Sequence, residues 1–86
     1  MSDILTVGQA VVIGQILDAC QRQVPVTWLT DSGAIMSGTI RSLDVKRGQD
    51  VREARVRVSA TFEHWFDMAD VMRMVEAGEF ALDYRA

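Results

Sequence analysis

The spacing of apolar and polar residues predicts a β-hairpin near the middle of the chain. Apolar residues fill alternate positions of residues 24–29, the period of a strand with one buried face. Asp31-Ser32-Gly33 then supplies the turn, because Asp can bond the following backbone and Gly accepts a positive φ. The second strand continues to Val45. Gly38 inside it predicts a bend or bulge, which lets a strand curl across a small barrel.

Ahead of the hairpin, the pattern favours an amphipathic helix over residues 7–22. Thr6 and Gln9 have the spacing of a capping box at its start. Glycines and β-branched residues in its first half are poor helix formers, so a first strand over residues 4–13 is the alternative. The predicted buried face follows three- and four-residue spacing and consists of Ala10, Ile13, Ile16, Leu17 and Cys20.

After the hairpin, the chain alternates between turns and short periodic segments. Residues 46–50 form a polar turn around a glycine, and residues 54–60 form a third strand with a clean apolar face. Its alternation continues too far for one strand, so a sharp turn is predicted near residues 59–61. A short helix is then predicted over residues 68–78, and a last strand over residues 79–86.

This order of elements predicts a single α+β domain over residues 1–86. It divides into an N-terminal lead and helix (1–23), barrel strands (24–67), the short helix (68–78) and the last strand (79–86). Short, closely spaced strands with glycine-marked bends favour a small five-stranded antiparallel barrel of the SH3 or Sm type over a sandwich. The last strand would lie at or near an edge, so a homodimer through strand pairing is an open alternative.

The charge is distributed unevenly along the chain. The net charge is −3, but residues 41–60 sum to +3 and residues 61–86 to −4. Overall acidity disfavours general nucleic-acid binding, although the basic segment keeps a local site open. The single Cys20 excludes an internal disulfide and a Cys-based zinc site. With no long apolar run and no basic signal-peptide start, we expect a cytoplasmic protein without membrane partners.

No motif in the chain indicates catalysis. His64 is the only histidine and has no cysteine near it in the sequence, so a packed or surface histidine is expected. Nucleophile-elbow, EF-hand and phosphate-loop patterns are missing from the sequence. We therefore predict a non-enzymatic protein without a cofactor, a catalytic residue or a metal site.

Two sets of side chains are candidates for binding. The acidic set could contact a protein partner, although a solvated acidic face is the simpler interpretation; it comprises Glu63, Asp67, Asp70 and Glu76. The basic set could hold phosphates and stack on bases, although cross-strand pairing of its arginines with Glu53 or Glu63 is simpler. It comprises Arg41, Arg55, Arg57 and Trp65.

Several stretches together resemble the Rof (YaeO) family of small Rho-binding antiterminators. They are Leu17-Asp18-Ala19-Cys20-Gln21, the hairpin with its Asp-Ser-Gly turn, the glycine-bent strand, the polar excursion after it, and Phe66 to Val71. The similarity spans about residues 11–76. It implies a helix packed on an Sm-like barrel, and an inhibitor that binds the Rho termination factor through an acidic surface. The family's acids just before the helix centre correspond here to Val11, Val12, Ile13 and Gly14.

The sequence thus predicts a small regulatory module that binds a protein. An inhibitor of a host or cellular factor such as Rho is the specific expectation, with transcription antitermination as its role. The alternative is a nucleic-acid-binding SH3- or Sm-like module that uses the arginine-bearing strand face.

Overall fold

The computed structural model describes residues 5–84, which form two α-helices and one five-stranded antiparallel sheet. This confirms the predicted α+β class and the predicted order of elements. Residues 1–4 of the predicted N-terminal lead, and residues 85–86 of the predicted last strand, lie outside the described residues. The elements are α1 (Val7–Arg22), β1 (Pro25–Leu29), β2 (Ile35–Asp44), a 3-10 turn (Val51–Glu53), β3 (Arg55–Ser59), β4 (Glu63–Asp67), α2 (Met68–Glu76) and β5 (Phe80–Leu82).

Helix α1 begins at the predicted capping box. The Thr6 hydroxyl accepts a hydrogen bond from the Gln9 amide, and the Gln9 side chain accepts one from the Thr6 amide, each at 3.0 Å. These bonds satisfy two amides that a helix start leaves without intrahelical partners. At the other end, Gln23 takes a left-handed conformation with φ 57°, and the Val24 amide donates to the Ala19 carbonyl. The alternative first strand over residues 4–13 does not form.

The buried face of α1 differs from the predicted one. Ile13 and Ile16 are buried as expected, but Ala10 and Leu17 are exposed, and Ala19 is buried instead. A small side chain at position 19 lets the helix approach the rest of the fold closely. Cys20 is half-buried against the core, as the prediction implied. Because apolar residues also flank the packed side, hydrophobic periodicity alone does not fix its limits.

The sheet has the strand order β4-β3-β2-β1-β5, and every neighbouring pair is antiparallel. Strand β2 pairs with β1 over residues 35–39 and with β3 over residues 39–44, so its two halves serve different neighbours. β4 and β5 are the two edges, and within residues 5–84 the sheet is open between them. Closure into a full barrel is therefore not seen.

The sequence predicts a bend or bulge at Gly38, and the structure shows a bulge and a close backbone contact at two separate positions of β2. The pairing of β2 with β3 shifts between Ile40 and Ser42, which leaves Arg41 as the extra residue of a bulge. Gly38 itself lies in a close backbone contact, because a Cβ at this position would overlap the Ser59 carbonyl oxygen. The bulge is thus three residues beyond the glycine, and the glycine is needed for space.

A single hydrophobic core lies between the inner face of the sheet and the two helices. The alternating faces predicted for β1 and β3 are confirmed, since their inward side chains are buried. The rings of Trp28, Phe66 and Phe80 contact one another with centroids 5.5 to 6.4 Å apart. The buried residues are Ile13, Ile16, Ala19, Val24, Val26, Trp28, Ile40, Ala54, Val56, Val58, Met68, Val71 and Phe80.

Replacing Gly38 with alanine should destabilise the fold by about 2 kcal/mol, because the new methyl group displaces the Ser59 backbone. Urea unfolding followed by circular dichroism measures the change. Gly8→Ala is the matched control: its Cβ meets only the Thr6 hydroxyl, at 3.9 Å, and alanine favours the helix. A Gly38→Ala variant as stable as the parent would contradict the close contact.

Candidate functional site

The outward face of β3 and β4 carries an exposed tryptophan beside two arginines. Trp65 is 41% exposed. The guanidinium carbon of Arg55 lies 4.9 Å from the centre of the Trp65 ring, and that of Arg57 lies 5.8 Å from it. Both distances are within the range of cation–π attraction. The strand alternation predicted this shared face, and the pairing of Arg57 with Trp65 across the strands confirms it.

Carboxylates surround these arginines on both neighbouring strands. An oxygen of Glu63 lies 3.7 Å from a guanidinium nitrogen of Arg57, which confirms the cross-strand ion pair considered for it. Asp67 on β4 and Asp44 on β2 both lie opposite Arg55. Three carboxylates therefore accompany two guanidinium groups. We call this surface the Trp65 face and define it as Asp44, Arg55, Arg57, Glu63, Trp65 and Asp67.

A depression of about 340 Å³ opens at one end of the Trp65 face. The loop between β2 and β3 forms one wall of it. Asp50 orders this loop: it accepts hydrogen bonds from the Arg52 amide at 2.8 Å and from the Arg52 guanidinium at 3.0 and 2.9 Å. The lining residues are Asp44, Lys46, Gln49, Glu53, Arg55, Trp65 and Asp67.

The remaining candidate residues lie elsewhere. Arg41, the bulge residue, has a guanidinium nitrogen 3.4 Å from the Gln23 side-chain oxygen at the end of α1. Asp70 pairs with Arg73 at 2.7 Å on α2, and Glu76 lines a groove between α1 and α2. The structure thus brings five of the predicted residues together and separates Arg41, Asp70 and Glu76 from them.

His64 lies on the inner side of β4, away from the Trp65 face. Its ring centre is 5.3 Å from that of Trp28 in an edge-to-face contact, as expected of a packed histidine. Its Nε2 atom is buried and has no hydrogen-bond partner within residues 5–84. In the same part of the chain, no group of three or more His, Cys, Asp or Glu side chains is placed to hold a metal ion.

Asp44, Lys46 and Gln49 belong to this site although the sequence pattern does not predict them there. Asp44 reaches Arg55 only because the bulge at Arg41 shifts the pairing by one residue. A bulge of this kind has no obligatory residue type, so the sequence contains no local signal for it. The two loop residues enter the site through the conformation of the β2–β3 loop.

Comparison with known proteins finds no matching family model, no matching curated protein and no matching solved structure. No helix within the described residues is long and apolar enough to cross a bilayer. The function must therefore be inferred from the chain's own residues.

The hydrogen bonds to Asp50 should be visible in its titration. The Arg52 side chain, and after it the Arg52 amide, lowers the pKa of this carboxyl from 3.8 to about 2. Because the folded-state pKa is lowered, the stabilisation is complete above about pH 4 and is lost as the pH falls toward 2. Carboxyl carbon NMR should give a midpoint of about 2.

Arg52→Met should raise the Asp50 midpoint, since the guanidinium donors are removed. Arg47→Met, which changes a basic residue of the same loop, should leave the midpoint in place. A midpoint of 3.8 in the unmodified protein would mean that the Asp50–Arg52 contact does not form in solution.

Proposed function

We propose that this chain is a non-enzymatic regulatory module that binds a protein partner through the Trp65 face. The observation that carries the proposal is an exposed tryptophan held beside two arginines. Tryptophan and arginine are the residues most enriched at the energetic centres of protein interfaces. The cation–π contacts already restrict the ring, so less side-chain entropy is lost on binding.

The charge of the Trp65 face favours a protein over a nucleic acid. Phosphate binding needs a concentrated positive surface. Here Glu63 already forms an ion pair with Arg57, and Asp44 and Asp67 flank Arg55. Arg41, the third arginine of the predicted set, lies near the end of α1. A surface with three carboxylates and two guanidinium groups complements a mixed or basic protein surface better than a phosphate chain.

The proposal includes an SH3- or Sm-type barrel as the finer architecture. Its support is the β2 strand, whose halves pair with different neighbours, together with the packing of α1 on β2. The resemblance to the Rof family makes the Rho termination factor the partner to test first, with antitermination as the role. The proposal also includes the cytoplasmic location expected from the sequence.

The acids available for such a contact differ from those in the family. Apolar residues and a glycine stand at the family's acidic helix positions, over residues 11–14. In this chain, carboxylates of the Trp65 face would have to supply the contact, with Glu63 and Asp67 as the exposed pair on β4.

The alternative function is single-stranded nucleic-acid binding on the same face. The exposed Trp65 ring beside arginines favours it, since bases stack on aromatic side chains in such sites. Nucleic-acid binding would depend on charge in the opposite way to protein binding. The arginines would make the contact with the phosphates, and the carboxylates would oppose it.

Binding to purified Rho, measured by biolayer interferometry, tests the proposal directly. Trp65→Ala should weaken the complex about 30-fold or more, as expected at an interface centre. Glu63→Lys with Asp67→Lys should abolish binding by reversing the acidic charges. Tyr84→Ala is the matched control: this ring is 44% exposed, has Arg22 at 5.8 Å, and lies on another surface. A Rho-dependent termination assay should show the same order of effects.

A second measurement separates the two functions. Fluorescence anisotropy measures binding of a labelled single-stranded oligonucleotide. Under the proposal, Arg55 and Arg57 should contribute nothing to any oligonucleotide binding that is measured. If the oligonucleotide binds, and Arg55→Glu with Arg57→Glu removes that binding, the alternative replaces the proposal. If Rho does not bind, the next test is capture of a different protein. Capture that resists nuclease and is lost with Trp65→Ala would support protein binding through the Trp65 face, with that protein as the partner in place of Rho. Capture that is insensitive to Trp65→Ala would reject the Trp65 face.

A further inference from the structure

Over residues 7–17, helix α1 is apolar on the side that faces away from the core. Val7 is 83% exposed, Val11 53% and Leu17 48%, and no charged residue occurs from Thr6 to Leu17. Surface helices usually carry polar residues on this side. Three- and four-residue spacing puts these side chains on one stripe away from the buried face. Asp18, four residues after Gly14, ends the stripe on its C-terminal side. We call this stripe the outer face of α1 and define it as Val7, Ala10, Val11, Gly14 and Leu17.

Gly14 is at the middle of this face. Neither steric contact nor backbone φ within residues 5–84 requires a glycine at this position. A Cβ added there would meet no atom within 4 Å, and Gly14 is not among the glycines with positive φ. Alanine would therefore fit, and it favours a helix more than glycine does. What glycine offers at an exposed helical position is room for another backbone to approach closely.

We propose that the outer face of α1 binds the outer face of α1 in a second copy of the chain, with the two helices antiparallel. The face is self-complementary about a two-fold axis near residue 12. Val7 of each copy then lies opposite Leu17 of the other, and Val11 of each copy lies over Gly14 of the other. Large side chains thus meet small ones at the centre, and apolar side chains meet at both ends.

The charges on α1 favour the antiparallel arrangement. The first turn of α1 has no acidic residue, and its helix start carries partial positive charge. Asp18 is paired with Arg22 of its own helix at 3.1 Å, and an exposed pair of this kind is weak. Antiparallel pairing places this Asp18 carboxylate near the helix start of the other copy, where a negative charge is stabilised. A parallel pair would instead put Asp18 beside Asp18 and align the two helix dipoles.

The expected dimer is weak and independent of the Trp65 face. With Val7 opposite Leu17, the two helices overlap over residues 7–17, which gives a contact about 16 Å long. Such a contact is small for a stable interface. We expect the dimer to dissociate in the micromolar to millimolar range of chain concentration. A membrane surface is the less suitable occupant, because helices that lie on membranes carry several Lys or Arg residues beside the apolar face. Within α1, Arg22 is the single basic residue.

Sedimentation equilibrium of the full chain from about 10 μM to 1 mM tests the dimer. The mass should rise from 9.6 kDa toward twice that value. Val11→Glu should keep the chain monomeric throughout. Gly14→Ala should weaken the dimer about tenfold by separating the helices, although it raises the melting temperature of the dilute monomer. Gly8→Ala, off the outer face, should raise the melting temperature without changing the dimer.

A charge pair tests the orientation. Val7→Lys alone and Leu17→Glu alone should each dissociate the dimer, whereas the double variant should restore it, because the new lysine of one copy would then face the new glutamate of the other. A monomer at every concentration would overturn the proposal, as would a dimer indifferent to Val11→Glu and Gly14→Ala. Failure of the double variant to restore the dimer would overturn the antiparallel pairing. A monomer that sediments with anionic vesicles, and loses this with Val11→Glu, would reassign the face to membranes.

Discussion

The close contact between the Gly38 backbone and the Ser59 carbonyl is the constraint on which the rest of the structure depends. It lets β2 pass from pairing with β1 to pairing with β3 within one strand, so one sheet can surround the core. The bulge at Arg41 then sets the pairing of β3, and this pairing puts Asp44 opposite Arg55. The charge balance of the Trp65 face therefore originates in two backbone features of β2.

The side chains of the Trp65 face are held in place by contacts within the chain. Arg55 and Arg57 contact the ring, and Glu63 in turn holds Arg57 through a partly exposed ion pair. Each of these contacts contributes little to stability when it is exposed to solvent. Their joint effect is to restrict a large aromatic side chain that would otherwise lose rotational freedom on binding. The stability of the fold comes instead from the core below, which is filled by aliphatic and aromatic side chains.

Much of the fold could be predicted from local patterns, since the capping box, the alternating faces of β1 and β3, and the hairpin turn each depend on neighbouring residues. The packed side of α1 could be predicted at Ile13 and Ile16, but its limits could not, because the apolar Ala10 and Leu17 flank it and only the packing of Ala19 excludes them. The candidate site was predictable where the alternation of a single strand determines which residues share a face, as for Arg55 and Arg57 on β3. It was not predictable where pairing between distant strands decides, as for Asp44 and for the separation of Arg41 from the other arginines.

The pairing of β1 with β5 has a consequence for folding during synthesis. β1 and β2 can pair as soon as residue 39 has left the ribosome, but the outer edge of β1 has no partner until residues 80–82 follow. Until then, Trp28 lacks its stacking neighbour Phe80, and an unpaired strand edge remains open to other chains. The nascent protein is therefore most prone to aggregation late in translation, when most of its sheet has formed.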